Sequence, residues 1–348
     1  MPMGASMRDG DRDDDADETP ATPRAAGEWG SESDPQRGAP RLVLHIGFPK
    51  AGSTWLQREL WPRARGARLV PRPVVRREIL VPTPQAFDAR AARRAVLGRG
   101  SDRVVLSEEE LVGNLHTGGL HGAMSKEIAD RLARAFPDAH VVILLRNQLD
   151  LIGSAYKQYV ESGGTGSIHR FLRPARSPHK TPNFSLDFLC YDVHVQRYEA
   201  LFGEEAVHVH PFEELRRDAR GFARRLAAEL DLDLDPAEVS PSARNVGYRR
   251  WTRRIVRVLN HFHDREIPNS SCLVGVPGFH SVLRRVGPWL NRHPWMGRHE
   301  TLRDFLDAGS VERIADRYRE GNENLAKRRE LPLAAHGYPM PRDRSRID

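Results

Sequence analysis

The stretch Arg41–Leu60, RLVLHIGFPKAGSTWLQREL, constrains this chain more than any other. Leu42 to Ile46 is a short apolar and β-branched run around His45, which predicts a buried strand. Gly47, Pro49 and Gly52 punctuate the loop that follows. From Thr54 the pattern turns helical, with Trp55, Leu56, Leu60 and Trp61 on adjacent turns. A strand that passes through a glycine loop into a helix aims free backbone N–H groups and the positive end of the helix dipole at one point. That is an anion-binding geometry.

The spelling narrows the anion. A loop that holds nucleoside triphosphates reads G-x-x-x-x-G-K-[ST]. Gly47 and Gly52 have this separation, and Thr54 stands where the Mg²⁺-binding hydroxyl would be, but Ser53 occupies the lysine position. The lysine, Lys50, lies three places earlier and cannot reach β- and γ-phosphates in the same way. The loop is therefore expected to hold another anionic group. Pro49 to Leu56, P-K-A-G-S-T-W-L, resembles the 5′-phosphosulfate loop, P-K-[SA]-G-[ST]-T-[WS]-L, of sulfotransferases that use 3′-phosphoadenosine 5′-phosphosulfate (PAPS).

A second motif follows about 95 residues later. His140–Leu145 (HVVILL) is almost wholly apolar, as a strand covered on both faces should be. It ends at Arg146, and Ser154 lies one turn inside the next helix. Both can meet one anion, the arginine through charge-assisted hydrogen bonds. R-N-Q-L-D-L-I-G-S-A-Y resembles the family's 3′-phosphate motif, R-[ND]-P-x-D-x-x-x-S-x-[YW], with Gln148 in place of proline. The third constellation is Ser107-Glu108-Glu109-Glu110-Leu111 after the strand Arg103–Ser107. It is similar to the S-S-E-x-L turn of bacterial and carbohydrate-type members, and that resemblance singles out Glu109 as the base; Glu108, Glu110, His116 and His121 stand as alternatives. Phe212-Glu213-Glu214-Leu215 resembles a step where an aromatic approaches adenine, though core packing explains it equally. Arg244 is a further 3′-phosphate candidate, and Tyr318–Leu325 looks like the family's C-terminal helix.

Strands at 42–46, 103–107, 140–145 and 207–210 alternate with helices at 85–97, 124–136, 150–161, 186–202 and 212–230. This predicts an α/β fold, a three-layer P-loop-like parallel sheet flanked by helices. Its ligands should lie beyond the carboxyl ends of the strands. Leu69–Pro84 reads as proline-broken and extended, Ser162–Ser185 as a mobile loop, and Pro268–Gly297 as irregular. Trp251, Ile255, Val258, Leu259 and Phe262 share a helical face opposite a basic one, and Ser310 is expected to cap a helix over Val311–Leu325. The domain reading is an acidic, disordered tail over 1–40, a core over 41–247, and a helical extension of the same domain over 248–348 that forms a possible acceptor cap.

Charge supports an anionic ligand. The net charge is +7, yet residues 1–40 carry ten acidic and four basic residues, which leaves about +13 on residues 41–348. No nucleic-acid module is evident. Cys190 and Cys272 are the only cysteines, so a reducing compartment fits, and with no apolar leader or 18-residue apolar run the expected location is cytoplasmic.

The resemblance implies a PAPS-dependent sulfotransferase. Ala51, Gly52, Ser53 and Thr54 would hold the 5′-phosphosulfate and Trp55 would lie against the adenine. Arg146 and Ser154 would hold the 3′-phosphate. Lys50 would face the leaving oxygen, with Glu109 as the base and no metal. The acceptor would be a glycan, glycolipid or small metabolite. Two other readings fit parts of the sequence. One is a P-loop kinase or NTPase. The other is a non-catalytic protein that contacts a membrane surface peripherally through residues 251–262 and the Trp289/Trp295 region.

Overall fold

In the computed structural model, residues 42–98, 103–115, 123–174, 182–241, 247–262 and 273–342 are described. The assigned tail over 1–40, His116, His121 and Arg244 lie outside them. Five strands form one parallel sheet: β1 (Leu42–His45), β2 (Ala67–Leu69), β3 (Arg103–Ser107), β4 (His140–Leu145) and β5 (Val207–Pro211), in the order β2-β3-β1-β4-β5. β1 is central and fully buried, and β4 is buried at all but its first residue. Helices cover both faces, so apolar runs without alternation are what these strands require. The expected α/β class and parallel sheet are found.

Register places the site. His45 pairs with Ser107 across β1 and β3, and Leu145 pairs with Pro211 across β4 and β5. The loop after β1, the glutamates after β3, Arg146 after β4 and Phe212 after β5 therefore emerge side by side along the carboxyl edge. The helix after β1 begins at Ser53, is π-helical over Leu56–Leu60 and ends in a 3₁₀ turn at Arg63.

Several expectations need correction. The segment 69–84 is not extended: Ala67–Leu69 supplies an edge strand and Arg72–Leu80 is helical, with Pro73 in the first turn, where a missing N–H costs nothing. The segment 162–185 contains the short helix Ile168–Phe171, whose Ile168 and Phe171 are buried along with Phe184. The helix expected over 212–230 breaks at Asp218 into Phe212–Arg217 and Ala219–Glu229, and the Asp218 carboxylate caps the second piece by accepting from Gly221 N–H. Within 268–297 lies the helix Phe279–Asn291, which carries Pro288 internally. The last helix runs Ala308–Arg328 and is capped by Asp307, which accepts from Ser310 N–H, rather than by Ser310.

The C-terminal helix fixes the start of the helix Gln148–Glu161. Gln148 and Asn322 are both buried and exchange side-chain hydrogen bonds of 2.6 and 3.2 Å, and Asn322 also donates to Pro339 O at 2.9 Å. Asn147 caps the same helix by accepting from Leu149 and Asp150 N–H. Glutamine in place of proline thus exchanges loop stiffness for a long-range amide pair. Asn322→Ala would strand a buried amide, and urea unfolding should show a loss of about 1–3 kcal/mol.

Candidate active site

The loop after β1 is shaped by two crowded glycines. A Cβ on Gly47 would stand 2.5 Å from His45 Nε2. Gly52 has φ +94°, and a Cβ there would lie 2.8 Å from Leu215 Cδ2. Lys50 also takes a left-handed backbone, φ +70°, a conformation that costs a non-glycine residue about 1–3 kcal/mol and that marks functional loops. Ala51 N–H is already used, donating to Phe48 O at 3.2 Å. Among the described residues, the amides of Gly52, Ser53 and Thr54, at the cap and first two positions of the helix, remain free. Ser53 Oγ is buried without a hydrogen-bond partner among the described residues.

Arg146 joins the two motifs. Its Nη1 donates to Lys50 O at 2.9 Å, its guanidinium lies over the Phe212 ring at 5.5 Å, and Tyr191 O–H donates to Arg146 O at 2.6 Å. No carboxylate pairs with Arg146 or Lys50 among the described residues, so Arg146 makes no ion pair with Asp150. Burial, then repulsion from Arg146, pulls the Lys50 ammonium down, while Glu161 and Glu109 work against the shift. Burial likewise lowers Arg146. It also lowers Lys157, which feels Arg146 and Lys50 as like charges and donates to Glu300 O at 3.0 Å. Three partly desolvated cations thus lie near enough to repel one another, and that arrangement is costly until an anion joins them.

The three glutamates have separate fates. Glu108 is fully buried and gripped by Arg72 at 2.6 and 2.8 Å and by Arg76 at 3.3 Å, so it is structural. Among the described residues, the Glu110 carboxylate pairs with Arg76 alone, at 3.6 Å, and burial raises its carboxyl. Glu109 accepts from Arg72 at 3.1 Å and from Gln57 at 3.2 Å. Gln57 also donates to Ser107 O at 3.3 Å, and Ser107 Oγ bonds His45 Nδ1 at 2.7 Å, a neutral histidine that burial has pushed down to about 3. A polar chain thus runs beneath the loop from Glu109 to His45.

Trp55 sits low in the site. It is 5% exposed, edge-on to Phe222, and its Nε1–H donates to Ser240 O at 2.8 Å. The ring is thus largely buried, with its donor engaged. Phe212 packs beside Gly52 and under Arg146.

Two site residues escaped the sequence reading. Ser154, Lys157 and Glu161 follow at i, i+3 and i+7 on one face of the helix Gln148–Glu161, and that helical spacing was the available signal. Glu161 lines a cleft of about 460 Å³ together with Lys50, Ser162, Tyr248, Arg284 and Pro288. Burial raises its carboxyl, and Tyr248 N–H donates to it at 3.1 Å.

Residues 124–236 match the model of the Sulfotransferase family. The chain carries a sulfotransferase-family region. The region contains Arg146, Ser154, Lys157 and Glu161 but not the 47–54 loop; sulfotransferase region and loop meet through the bond from Arg146 to Lys50 O. A crystal structure of a sulfotransferase from Alicyclobacillus acidocaldarius is similar to this chain at 22% identity, over 60% of this chain and 86% of that one, with a TM-score of 0.42. The mouse sulfotransferase SULT7A1, crystallised with PAP, is similar at 13% identity over 80% and 83%, with a TM-score of 0.39. No curated protein matches the sequence. Among the described residues, no helix is long and apolar enough to cross a membrane, and no group of three His, Cys, Asp or Glu side chains could hold a metal ion.

Proposed function

We propose that this protein transfers a sulfuryl group from PAPS to an acceptor hydroxyl. The observation that carries this reading is the hydrogen bond from Arg146 to Lys50 O, which draws a lysine and an arginine 96 residues apart into one anion site without a neutralising carboxylate pair. The amides of Gly52–Thr54 and the orphaned Ser53 hydroxyl hold the 5′ end of the donor. Arg146 and Ser154 hold the 3′-phosphate and select against ATP. Lys50 faces the bridging oxygen, where negative charge grows as the S–O bond breaks. Glu109, oriented by Gln57 and Arg72, takes the acceptor's proton. Chain residues thus cover donor binding, charge neutralisation and proton removal.

A P-loop kinase is disfavoured because Ser53 stands at the lysine position and none of the five strands ends in aspartate. Thermal unfolding with each ligand separates the readings. PAPS chemistry requires 3′,5′-ADP to raise the midpoint more than ATP–Mg²⁺ does, and the opposite order would overturn it.

The proton balance gives a pH test. Lys50 is held below its usual 10.5, and a bound anion restores its charged form. Affinity for 3′,5′-ADP is therefore full below the depressed pKa and falls as pH rises through it. Calorimetry in buffers of different ionisation enthalpy should detect proton uptake on binding as pH rises through the Lys50 transition, and Lys50→Ala should abolish that uptake while leaving the proton release of the ligand's own phosphates near pH 6.

The two carboxylates that act on Lys50 should separate kinetically. Glu109→Gln is expected to lower kcat about a hundredfold, the lower end of what a positioned base supplies. Glu161→Gln should raise the acceptor KM with kcat near wild type, since Glu161 lines the cleft. Interchanged results would move the base to Glu161.

A further inference from the structure

We propose that the helices Arg250–Leu259 and Phe279–Asn291 form a docking face for an anionic lipid bilayer, and that this face delivers a lipid-borne acceptor to the Lys50 cleft. The second half rests on the sulfotransfer reading; the first does not.

The first helix is inside out for a protein surrounded by water. Its inward residues are Thr252, Arg253 and Val256, and Arg253 pairs with Glu300 at 2.7 Å with both side chains buried. Its outward face carries Trp251, Ile255, Val258 and, one turn on, Phe262, all exposed. An ion pair is sheltered while a tryptophan stays 47% exposed, the reverse of what solvation favours. The second helix repeats the exposed apolar stripe. Leu283 and Gly287 face inward, whereas Val282, Val286 and Trp289, spaced four and three apart, form one exposed stripe. Of the 13 exposed large apolar side chains among the described residues, all but Val81 and Val193 lie between Trp251 and Trp295. A monomer in water does not ordinarily concentrate its apolar exposure in one place.

Charge chooses the occupant. The described residues within 247–298 include nine arginines and not one acidic residue. A two-fold contact between copies would set arginine against arginine. An anionic bilayer accepts both features, since arginines meet phosphate headgroups while tryptophans sit at the interface. The face is also continuous with the cleft: Tyr248, Arg284 and Pro288 line it opposite Lys50. An amphiphile could keep its apolar part in the bilayer while its headgroup hydroxyl enters the cleft.

Flotation of the full chain with phosphatidylglycerol-containing vesicles and with pure phosphatidylcholine vesicles tests the docking. Binding is expected to the anionic vesicles alone, and Val286→Glu/Trp289→Glu should weaken it about tenfold or more. The double variant should keep the wild-type melting temperature and its protection by 3′,5′-ADP, because neither residue lines the cleft. Absent or charge-independent vesicle binding overturns the proposal. So does a wild-type dimer that the double variant dissolves, which would make the face an interface between copies. Incubation with ³⁵S-labelled donor and a membrane extract should place label in the organic phase, and label confined to water-soluble products overturns the acceptor assignment. Vesicle binding without any nucleotide protection would sink the sulfotransfer reading while leaving the docking face standing.

Discussion

Lys50→Ala is expected to lower kcat for sulfuryl transfer by roughly 10²–10³, the usual consequence of removing one preorganised donor of about 3–4 kcal/mol from the transition state. Affinity for the sulfated donor should fall much less, whereas 3′,5′-ADP, which carries the full charge on that oxygen, should lose affinity as well. The difference follows from where the ammonium sits. Burial and Arg146 both disfavour its charge, and Glu161 and Glu109 restore only part of it. Its strongest partner is therefore an anion that gains charge during reaction, the bridging oxygen of the departing nucleotide. An interaction stronger in the transition state than in the ground state appears in kcat. The variant should melt no lower than wild type, because alanine keeps the backbone at position 50 and removes a desolvated cation. Wild-type turnover would refute the role. A loss of donor affinity as large as the loss of kcat would make Lys50 a ground-state binder. Single-turnover assays with labelled donor, run beside thermal shifts, read both quantities.

The site was legible in the sequence where chemistry lies close along the chain. The loop at 47–54 and the Arg146–Ser154 pair are local spellings, and parallel strands guaranteed that their strand ends would share an edge. What sequence could not supply was register. Pairing of Leu145 with Pro211 sets Arg146 beside Phe212, and pairing of His45 with Ser107 builds the polar chain under the loop. Prolines misled twice, because Pro73 starts a helix and Pro288 sits inside one. Composition within 248–300 showed an apolar and a basic helical face, but not that Thr252 and Arg253 would turn inward while Trp251 turned out. A motif also names a residue without naming what packs on it, here Phe222 and the Ser240 carbonyl around Trp55.

Arg146→Ala should be the most damaging change to donor recognition. Truncating one member of a buried charged contact costs about 2–5 kcal/mol, so affinity for 3′,5′-ADP should fall by roughly thirtyfold to several thousandfold. Binding of 5′-AMP, which lacks the 3′-phosphate, should change little. Arg146→Lys should not restore selectivity. The guanidinium bonds Lys50 O through Nη1 while its carbon lies 5.5 Å from the Phe212 ring centre, and among the described residues no carboxylate takes its remaining donors. A lysine has neither the plane nor the fork to make those contacts together. The comparison of ligands also exposes the competing role, in which Arg146 merely ties down the loop through the Lys50 carbonyl. In that case the left-handed backbone at Lys50 would relax and both nucleotides would weaken alike. Calorimetric titration of the two variants with both nucleotides separates the outcomes: a loss confined to 3′,5′-ADP assigns Arg146 to the 3′-phosphate, and equal losses assign it to the loop.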